Sequence, residues 1–155
     1  MKRLLVTLLA LSAAQVMAAD PPGYVRWSAA ELKGFSAKLA AAMGVQKAAT
    51  ERLGNFGNHY FMAAYREADG EAEIHETQTD IFIVQAGEAT LVVGGQIEGG
   101  KTTAPGEIRG TSIKNGVLKK LGPGDIVHIP AKTPHQVLMD AGKQFDYFIL
   151  KVDAR

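Results

Sequence analysis

The sequence predicts an all-β fold, an antiparallel sandwich or barrel, with one α-helix ahead of it. Beyond Gly44 the apolar residues recur with a period of two in many short runs, and glycine- and proline-rich turns separate these runs. Only one stretch has the three- and four-residue spacing of an amphipathic helix. Short strands joined by tight turns, without helices between them, favour antiparallel pairing over a parallel sheet.

The first residues have the pattern of a secretion signal. Lys2 and Arg3 precede an almost wholly apolar run from Leu4 to Val16, and Val16-Met17-Ala18 offers small residues for cleavage. The run is short for a hydrocarbon layer of about 30 Å, although an N-terminal membrane anchor is the alternative. We therefore expect residues 1–19 to be a signal peptide. The mature protein would then be periplasmic or secreted and free of the membrane.

Composition limits the classes of partner. The 17 basic and 16 acidic residues give a net charge of +1, and loss of Lys2 and Arg3 would leave 15 against 16, a charge of −1. No basic stripe is present, which argues against nucleic acid as a partner. The chain has no cysteine, so disulfides and a lipoprotein anchor are excluded. The roughly 136 residues after the signal suit a single hydrophobic core.

The helix is predicted to begin after Ser28, because Ser28 and Glu31 have the spacing of a capping box. Its apolar face consists of Leu32, Phe35, Leu39 and Met43. Gly44 is a plausible terminator. We therefore assign residues 20–52 to an N-terminal linker and helix, and residues 53–155 to the barrel.

Alternation of apolar and polar residues locates the strands. They are predicted at His59–Glu67, Asp80–Val84, Glu88–Val93, Glu107–Ile113, Val117–Leu121, Ile126–Ile129, Gln136–Met139 and Phe145–Val152. Ala86-Gly87 and Asn115-Gly116 have the composition of tight hairpin turns. The stretch from Gly94 to Gly106 is expected to be a surface excursion, and such segments often carry specificity.

Two segments stand out from the rest of the chain. The first runs from Glu73 to Gly87, EIHETQTDIFIVQAG, and the second from Gly124 to His135, GDIVHIPAKTPH. Together they resemble the two signature motifs of the cupin superfamily, H-x-H-x₃₋₄-E-x₆-G and G-x₅-P-x-G-x₂-H-x₃-N. The resemblance implies that the barrel is an antiparallel cupin (jelly-roll) β-barrel.

The resemblance also implies a set of metal ligands. With the first motif anchored on its final glycine, the family's glutamate falls on Asp80 and its two histidines fall on Glu73 and His75. The histidine of the second motif falls on His135. An alternative alignment places the two histidines of the first motif on His75 and Thr77, which drops Glu73 and keeps the other three residues.

The residue types support a metal on their own. Glu73 and His75 are two residues apart and so project from the same face of a strand, Asp80 begins the next strand, and His135 is expected from a facing strand. Burying each carboxylate there would cost on the order of several kcal/mol of folding free energy without a compensating cation. Two imidazoles and two carboxylates suit Mn²⁺, Fe²⁺, Co²⁺, Ni²⁺ or Zn²⁺. The alternative is a cupin without metal, in which His75 and His135 only form hydrogen bonds.

Three functions remain open at this point. The first is a metal-dependent enzyme of the dioxygenase, isomerase or lyase type that acts on a small oxygen-rich metabolite, with His59 as the group that transfers protons. The segment from Gly94 to Gly106 would cap this substrate. The second is a non-catalytic module that binds a sugar or an organic acid. Three departures from the family motifs favour it, at Thr77, Lys132 and Met139. The third is a structural role, with a homodimer formed through edge strands.

Overall fold

The structure, a computed structural model, describes residues 19–154. The predicted signal peptide therefore lies outside the described residues, apart from Ala19. Among residues 19–154, no helix combines the length and the apolar character that a membrane span requires. The elements are α1 Ala29–Ala42, β1 Ala48–Asn55, β2 His59–Arg66, β3 Ala72–His75, β4 Gln78–Gly87, β5 Ala89–Val93, β6 Gln96–Glu98, β7 Lys101–Ala104, β8 Glu107–Gly110, β9 Ser112–Lys114, β10 Val117–Leu121, β11 Ile126–Ile129, β12 His135–Leu138 and β13 Phe145–Asp153.

The strands form two main antiparallel sheets, as the sequence predicts. One sheet has five strands in the order β1-β2-β13-β4-β11, and the other has six in the order β10-β5-β12-β3-β8-β7. Strands β6 and β9 pair separately. Apart from the hairpins β1-β2 and β7-β8, neighbouring strands are not consecutive in sequence, so the chain crosses repeatedly between sheets. This is the topology of a jelly roll, and the prediction of an all-β barrel behind one helix is confirmed.

The core lies between the inner faces of the two sheets. Its buried side chains include Phe82, Val84, Leu91, Ile129, Val137, Phe145, Tyr147 and Ile149. The outer face of the five-stranded sheet is covered by α1, whose Leu39 packs with Ala63, Tyr65 and Phe148. This sheet is therefore buried on both faces, which explains why β13 is apolar at six of its nine positions rather than only at alternate ones.

The capping box at the start of α1 is formed. The hydroxyl oxygen of Ser28 accepts a hydrogen bond from the Glu31 backbone N–H at 3.3 Å. The Glu31 carboxylate in turn accepts one from the Ser28 N–H at 2.7 Å. A serine cap of this kind stabilises a helix by about 1 kcal/mol.

The strand predictions differ from the structure at several places. The run predicted from Glu107 to Ile113 divides at Thr111 into β8 and β9, which pair with different strands. Strand β1 begins at Ala48, so the first barrel strand starts before residue 53. The segment from Gly94 to Gly106 contains β6 and β7, which pair with β9 and β8. Its role as a substrate cap stays a prediction.

Gly87 and Lys132 are two of the positions at which the backbone is left-handed. Gly87 has φ of +76°, and a side chain there would collide with the carbonyl group of Gln144. Lys132 has φ of +66°, at the position where the cupin motif has glycine. The Lys132 backbone N–H donates to the carbonyl oxygen of His75 at 2.7 Å. This bond ties the turn before β12 to the end of β3.

Two strands at neighbouring edges of the sheets expose apolar side chains. On β10, Val117 and Leu118 are more than half exposed, and on β11 Ile126 is 71% exposed. These strands end the two sheets on the same side of the barrel. The expected homodimer stays a prediction.

Candidate metal centre

Strand register in the six-stranded sheet brings the two predicted histidines together. His135 on β12 pairs with Glu73 on β3, and Glu73 pairs on its other side with Arg109 on β8. His75, two residues further along β3, pairs with Glu107. Residues directly opposite in a sheet lie within side-chain contact. One sheet thus supplies both imidazoles and three further charged groups.

The facing sheet supplies Asp80 on β4 and Lys151 on β13. These two residues are directly opposite each other in register. The Asp80 carboxylate lies 3.4 Å from Nε2 of His75 and 3.7 Å from Nε2 of His135. His135 therefore comes from the strand beside β3, and Asp80 comes from across the barrel. The expectation that His135 faces β3 across the barrel was wrong.

Each histidine has its Nδ1 held by an acceptor outside the site. Nδ1 of His75 lies 2.8 and 2.9 Å from the two carboxylate oxygens of Glu107. Nδ1 of His135 donates to the carbonyl oxygen of Thr133 at 3.0 Å. Because Nδ1 of His135 carries a hydrogen, its Nε2 presents a lone pair. That Nε2 is buried and has no hydrogen-bond partner among the described residues.

Glu73 completes a cluster of three possible metal ligands. One ligand atom each from Glu73, His75 and His135 lie within 4.8 Å of one another. The Glu73 carboxylate is 3.5 Å from Nε2 of His75 and 4.0 Å from Nε2 of His135. Imidazoles whose other nitrogen is fixed by an acceptor are typical of metal sites. The first of the two motif alignments, which includes Glu73, fits this geometry.

Asp80 lies beside this cluster but is held by a lysine. The Lys151 ammonium lies 2.6 and 2.8 Å from the two carboxylate oxygens of Asp80, and both side chains are buried. Burial raises the pKa of Asp80, but the neighbouring imidazoles and the Lys151 charge lower it by more. The pKa of Asp80 therefore lies well below its usual range, and the carboxylate is ionised.

Lys151 also contacts His75. Its Nζ lies 2.8 Å from Nε2 of His75, so the ammonium donates a hydrogen bond to the lone pair of that nitrogen. Burial and the charge of Lys151 lower the pKa of His75, and the hydrogen bond and charge of Asp80 raise it by more, so the net shift is upward. Sequence reasoning missed Lys151. The signal was its place in the inward-facing row of β13, after Phe145, Tyr147 and Ile149.

Glu107 and Arg109 form a second layer around the cluster. Arg109 contacts the Glu73 carboxylate and lies 2.9 Å from the Glu107 carboxylate, so that it bridges the two. Glu107 in turn bonds His75. Neither was predicted as a site residue, because their position depends on the pairing of β8 with β3. Nothing in the sequence specifies that pairing.

A cavity of about 580 Å³ opens onto the site. Glu73, Asp80 and Lys151 lie in its wall, together with Arg66 and Tyr147. The Arg66 Nε donates to the Tyr147 hydroxyl at 3.3 Å, and among the described residues no carboxylate pairs with this guanidinium. A cavity of this size suits a small metabolite.

His59 lies elsewhere. Its ring stacks on Phe56 with a centroid distance of 5.3 Å and packs against Phe61, and its Nδ1 lies 3.0 Å from the Asn58 side-chain oxygen. It is not among the side chains that line the cavity. The role in proton transfer expected for His59 stays a prediction and has no support from this geometry.

Solved structures similar to this chain share its architecture. The sequence matches no protein-family model and no curated protein. A double-stranded β-helix protein from Klebsiella pneumoniae is 13% identical with a TM-score of 0.54, over 73% of this chain and 83% of that one. A Cupin 2 conserved barrel domain protein from Salinispora arenicola is 18% identical with a TM-score of 0.50, over 70% and 78%.

An enzyme is among these similar structures. The polyketide cyclase RemF from Streptomyces resistomycificus is 15% identical with a TM-score of 0.50, over 69% of this chain. The match spans 66% of the length of the cyclase, just under two thirds. At such identities the similarity establishes the fold alone. With its two antiparallel sheets, and with His75 and His135 of the two motif segments in ring contact, the chain has the fold of the cupin superfamily.

Proposed function

We propose that this protein binds a divalent metal ion through Glu73, His75 and His135 and acts as a metal-dependent enzyme on a small oxygen-rich metabolite. The observation that carries the proposal is the state of the two imidazoles. Both have Nδ1 fixed by an acceptor, and the buried Nε2 of His135 has no partner. A buried polar atom without a partner costs about 1–3 kcal/mol, and a metal ion would remove that cost.

The donor set fits a divalent ion. Two imidazoles and one carboxylate form the set found at open metal sites, in which further positions remain for substrate. When bound there, the ion would polarise a carbonyl or enediolate oxygen of the substrate. The chain's own contribution is orientation: Glu107 fixes the ring of His75, and Arg109 holds the carboxylate of Glu73.

Arg66 supports a substrate that carries an anionic group. Its guanidinium lines the cavity, is oriented by the Tyr147 hydroxyl, and pairs with no carboxylate of the described residues. A planar guanidinium binds carboxylates through two parallel hydrogen bonds. We therefore assign Arg66 to the anionic end of the metabolite. The similarity to the polyketide cyclase does not bear on this assignment, since the two sequences are only 15% identical.

Metal content tests the first half of the proposal. Protein purified without chelator or nickel resin should contain one equivalent of a divalent metal by elemental analysis. His75→Ala and His135→Ala should lose it while remaining folded, since the apolar core cluster around Phe82 and Phe145 is formed by other side chains. His128→Ala is the matched control, because His128 is exposed on β11. A wild-type protein without metal, whose melting temperature chelator and added metal leave unchanged, contradicts the proposal.

Turnover tests the second half. Metal-loaded protein should convert at least one member of a panel of sugars, enols and oxo-acids, and His75→Ala should not. The binding-module alternative is favoured by Lys151, whose ammonium already compensates Asp80 without a metal. Saturable binding of an organic acid that is recovered unchanged, equal in wild type and His75→Ala, would establish that alternative.

A further inference from the structure

We infer that Lys151 is an internal competitor of the metal ion, which weakens metal binding and keeps Asp80 out of the coordination sphere. This inference rests on the proposed metal site and adds a residue that sets its affinity and its ligand number. It predicts that the cluster of Glu73, His75 and His135 holds the ion, although Asp80 is equally close to the imidazoles.

The first step concerns the lone pair of His75. Nε2 of a neutral imidazole has one lone pair, which can accept a hydrogen bond or bind a metal ion, but cannot do both. In this structure Nζ of Lys151 lies 2.8 Å from that atom. A metal ion can use His75 as a ligand only after Lys151 withdraws from it. Every binding event therefore includes the loss of this hydrogen bond.

The second step concerns Asp80. Nζ of Lys151 is within 2.8 Å of both carboxylate oxygens, so the ammonium occupies the bidentate position from which Asp80 would chelate a cation. The pair is buried, with Asp80 2% and Lys151 9% exposed. Separating two buried opposite charges is costly, because the charges would lose their partner without gaining water. Asp80 therefore remains with Lys151 when a metal binds.

The third step concerns the tether. Lys151 lies on β13 directly opposite Asp80 on β4, and strand pairing extends along both strands from Phe145 to Asp153. An ammonium fixed in the fold has a high effective concentration at the site, unlike a free cation. Its charge also repels any divalent ion that binds to the adjacent imidazoles. Both effects act in the same direction and lower metal affinity.

Lys151→Met tests the inference, because methionine keeps the length of the side chain without its charge. Zn²⁺ affinity measured by competition with a chromogenic chelator should rise by at least about tenfold, since the repulsion disappears and His75 and Asp80 become free. The visible spectrum of bound Co²⁺ should change as well, because Asp80 joins the ligands. Lys143→Met, at an exposed lysine, is the control and should leave both measurements unchanged.

If Lys151→Met alone does not fold, the double variant Asp80→Asn with Lys151→Met takes its place in the test, since it leaves no unpaired buried charge. Its Zn²⁺ affinity should exceed that of wild type, because His75 is free, and should stay below that of Lys151→Met. Affinity in the folded variant equal to or below wild type overturns the inference, even if wild type binds metal. Zn²⁺ binding only after substitution supports the inference and contradicts the proposed function of the wild type. Absence of binding in every variant overturns both.

Discussion

Replacing Glu107 by alanine tests whether the site is organised for metal binding by residues outside the ligand set. Glu107 lies on β8, and its carboxylate is 2.8 and 2.9 Å from Nδ1 of His75. It also pairs with Arg109, which contacts Glu73. Glu107→Ala would therefore release the ring of His75 and disturb the carboxylate of Glu73, two of the three proposed ligands.

The expected magnitude follows from these contacts. Removing the acceptor that orients a ligating histidine usually costs about 10- to 100-fold in metal affinity. That range equals about 1.4–2.7 kcal/mol of binding free energy. Glu107→Gln keeps an oxygen that can accept from Nδ1 and loses only the charge, so its cost should be smaller, roughly three- to tenfold. The difference in Zn²⁺ affinity between the two variants separates the effect of ring orientation from the effect of the carboxylate charge.

The assay is Zn²⁺ competition at fixed pH, with the tautomer of His75 followed by nitrogen-15 NMR of the imidazole. Glu98→Ala is the matched control: Glu98 is also a carboxylate with two partners, Lys114 and Ser112, but it belongs to β6 outside the cavity wall. The reasoning is refuted if Glu107→Ala binds Zn²⁺ as wild type does, or if Glu98→Ala loses as much affinity.

Three further predictions concern other parts of the chain. Burial raises the pKa of Asp146 by more than the hydrogen bond from Ser36 lowers it, so the fold favours the protonated form. Stability from this group is present below its unfolded pKa of about 3.9 and is lost as pH rises through the raised value. Asp146→Asn should therefore gain about 1 kcal/mol in urea denaturation at pH 7 and nothing at pH 3; an equal gain at both would contradict this. Lys132→Gly should stabilise the fold by about 1 kcal/mol, because glycine adopts φ of +66° without strain; a loss of stability would show that the lysine makes a compensating contact. Exported protein should have the intact mass of a chain that starts near Ala19 or Asp20, and a membrane fraction that retains Met1 would instead indicate an anchor.

The barrel could be predicted from sequence because its signals are local. Strands β10 and β11 have the predicted bounds, and the capping box places the start of α1. Strand β1 was missed because it mixes Thr50, Glu51 and Arg52 with few apolar residues. It is held in the sheet by pairing with β2 and by contact with α1. Such tertiary contacts leave no mark in the periodicity of the strand itself.

The site was only partly predictable for a related reason. Glu73, His75 and His135 could be identified because motif spacing is a property of the chain. Lys151 and Glu107 become neighbours of His75 only through the pairing of β13 with β4 and of β8 with β3. These strands are separated by tens of residues. Their register is fixed by the packing of the whole barrel rather than by any local pattern.

The charges of the site link metal, lysine and substrate. The site contains three carboxylates, those of Glu73, Asp80 and Glu107. It contains only two cationic groups, Lys151 and Arg109, so one negative charge is uncompensated. That imbalance favours a cation at the two imidazoles. A divalent ion would reverse it and leave one positive charge at the imidazoles. The cavity wall beyond them carries the guanidinium of Arg66 and the carboxylates of Asp69 and Glu71. A metabolite with a carboxylate would balance the positive charge at the imidazoles, whereas a neutral sugar would not. The Arg66→Gln variant should therefore raise KM for acidic substrates while leaving Zn²⁺ affinity unchanged, and an equal change for neutral ones would show that charge does not select the substrate.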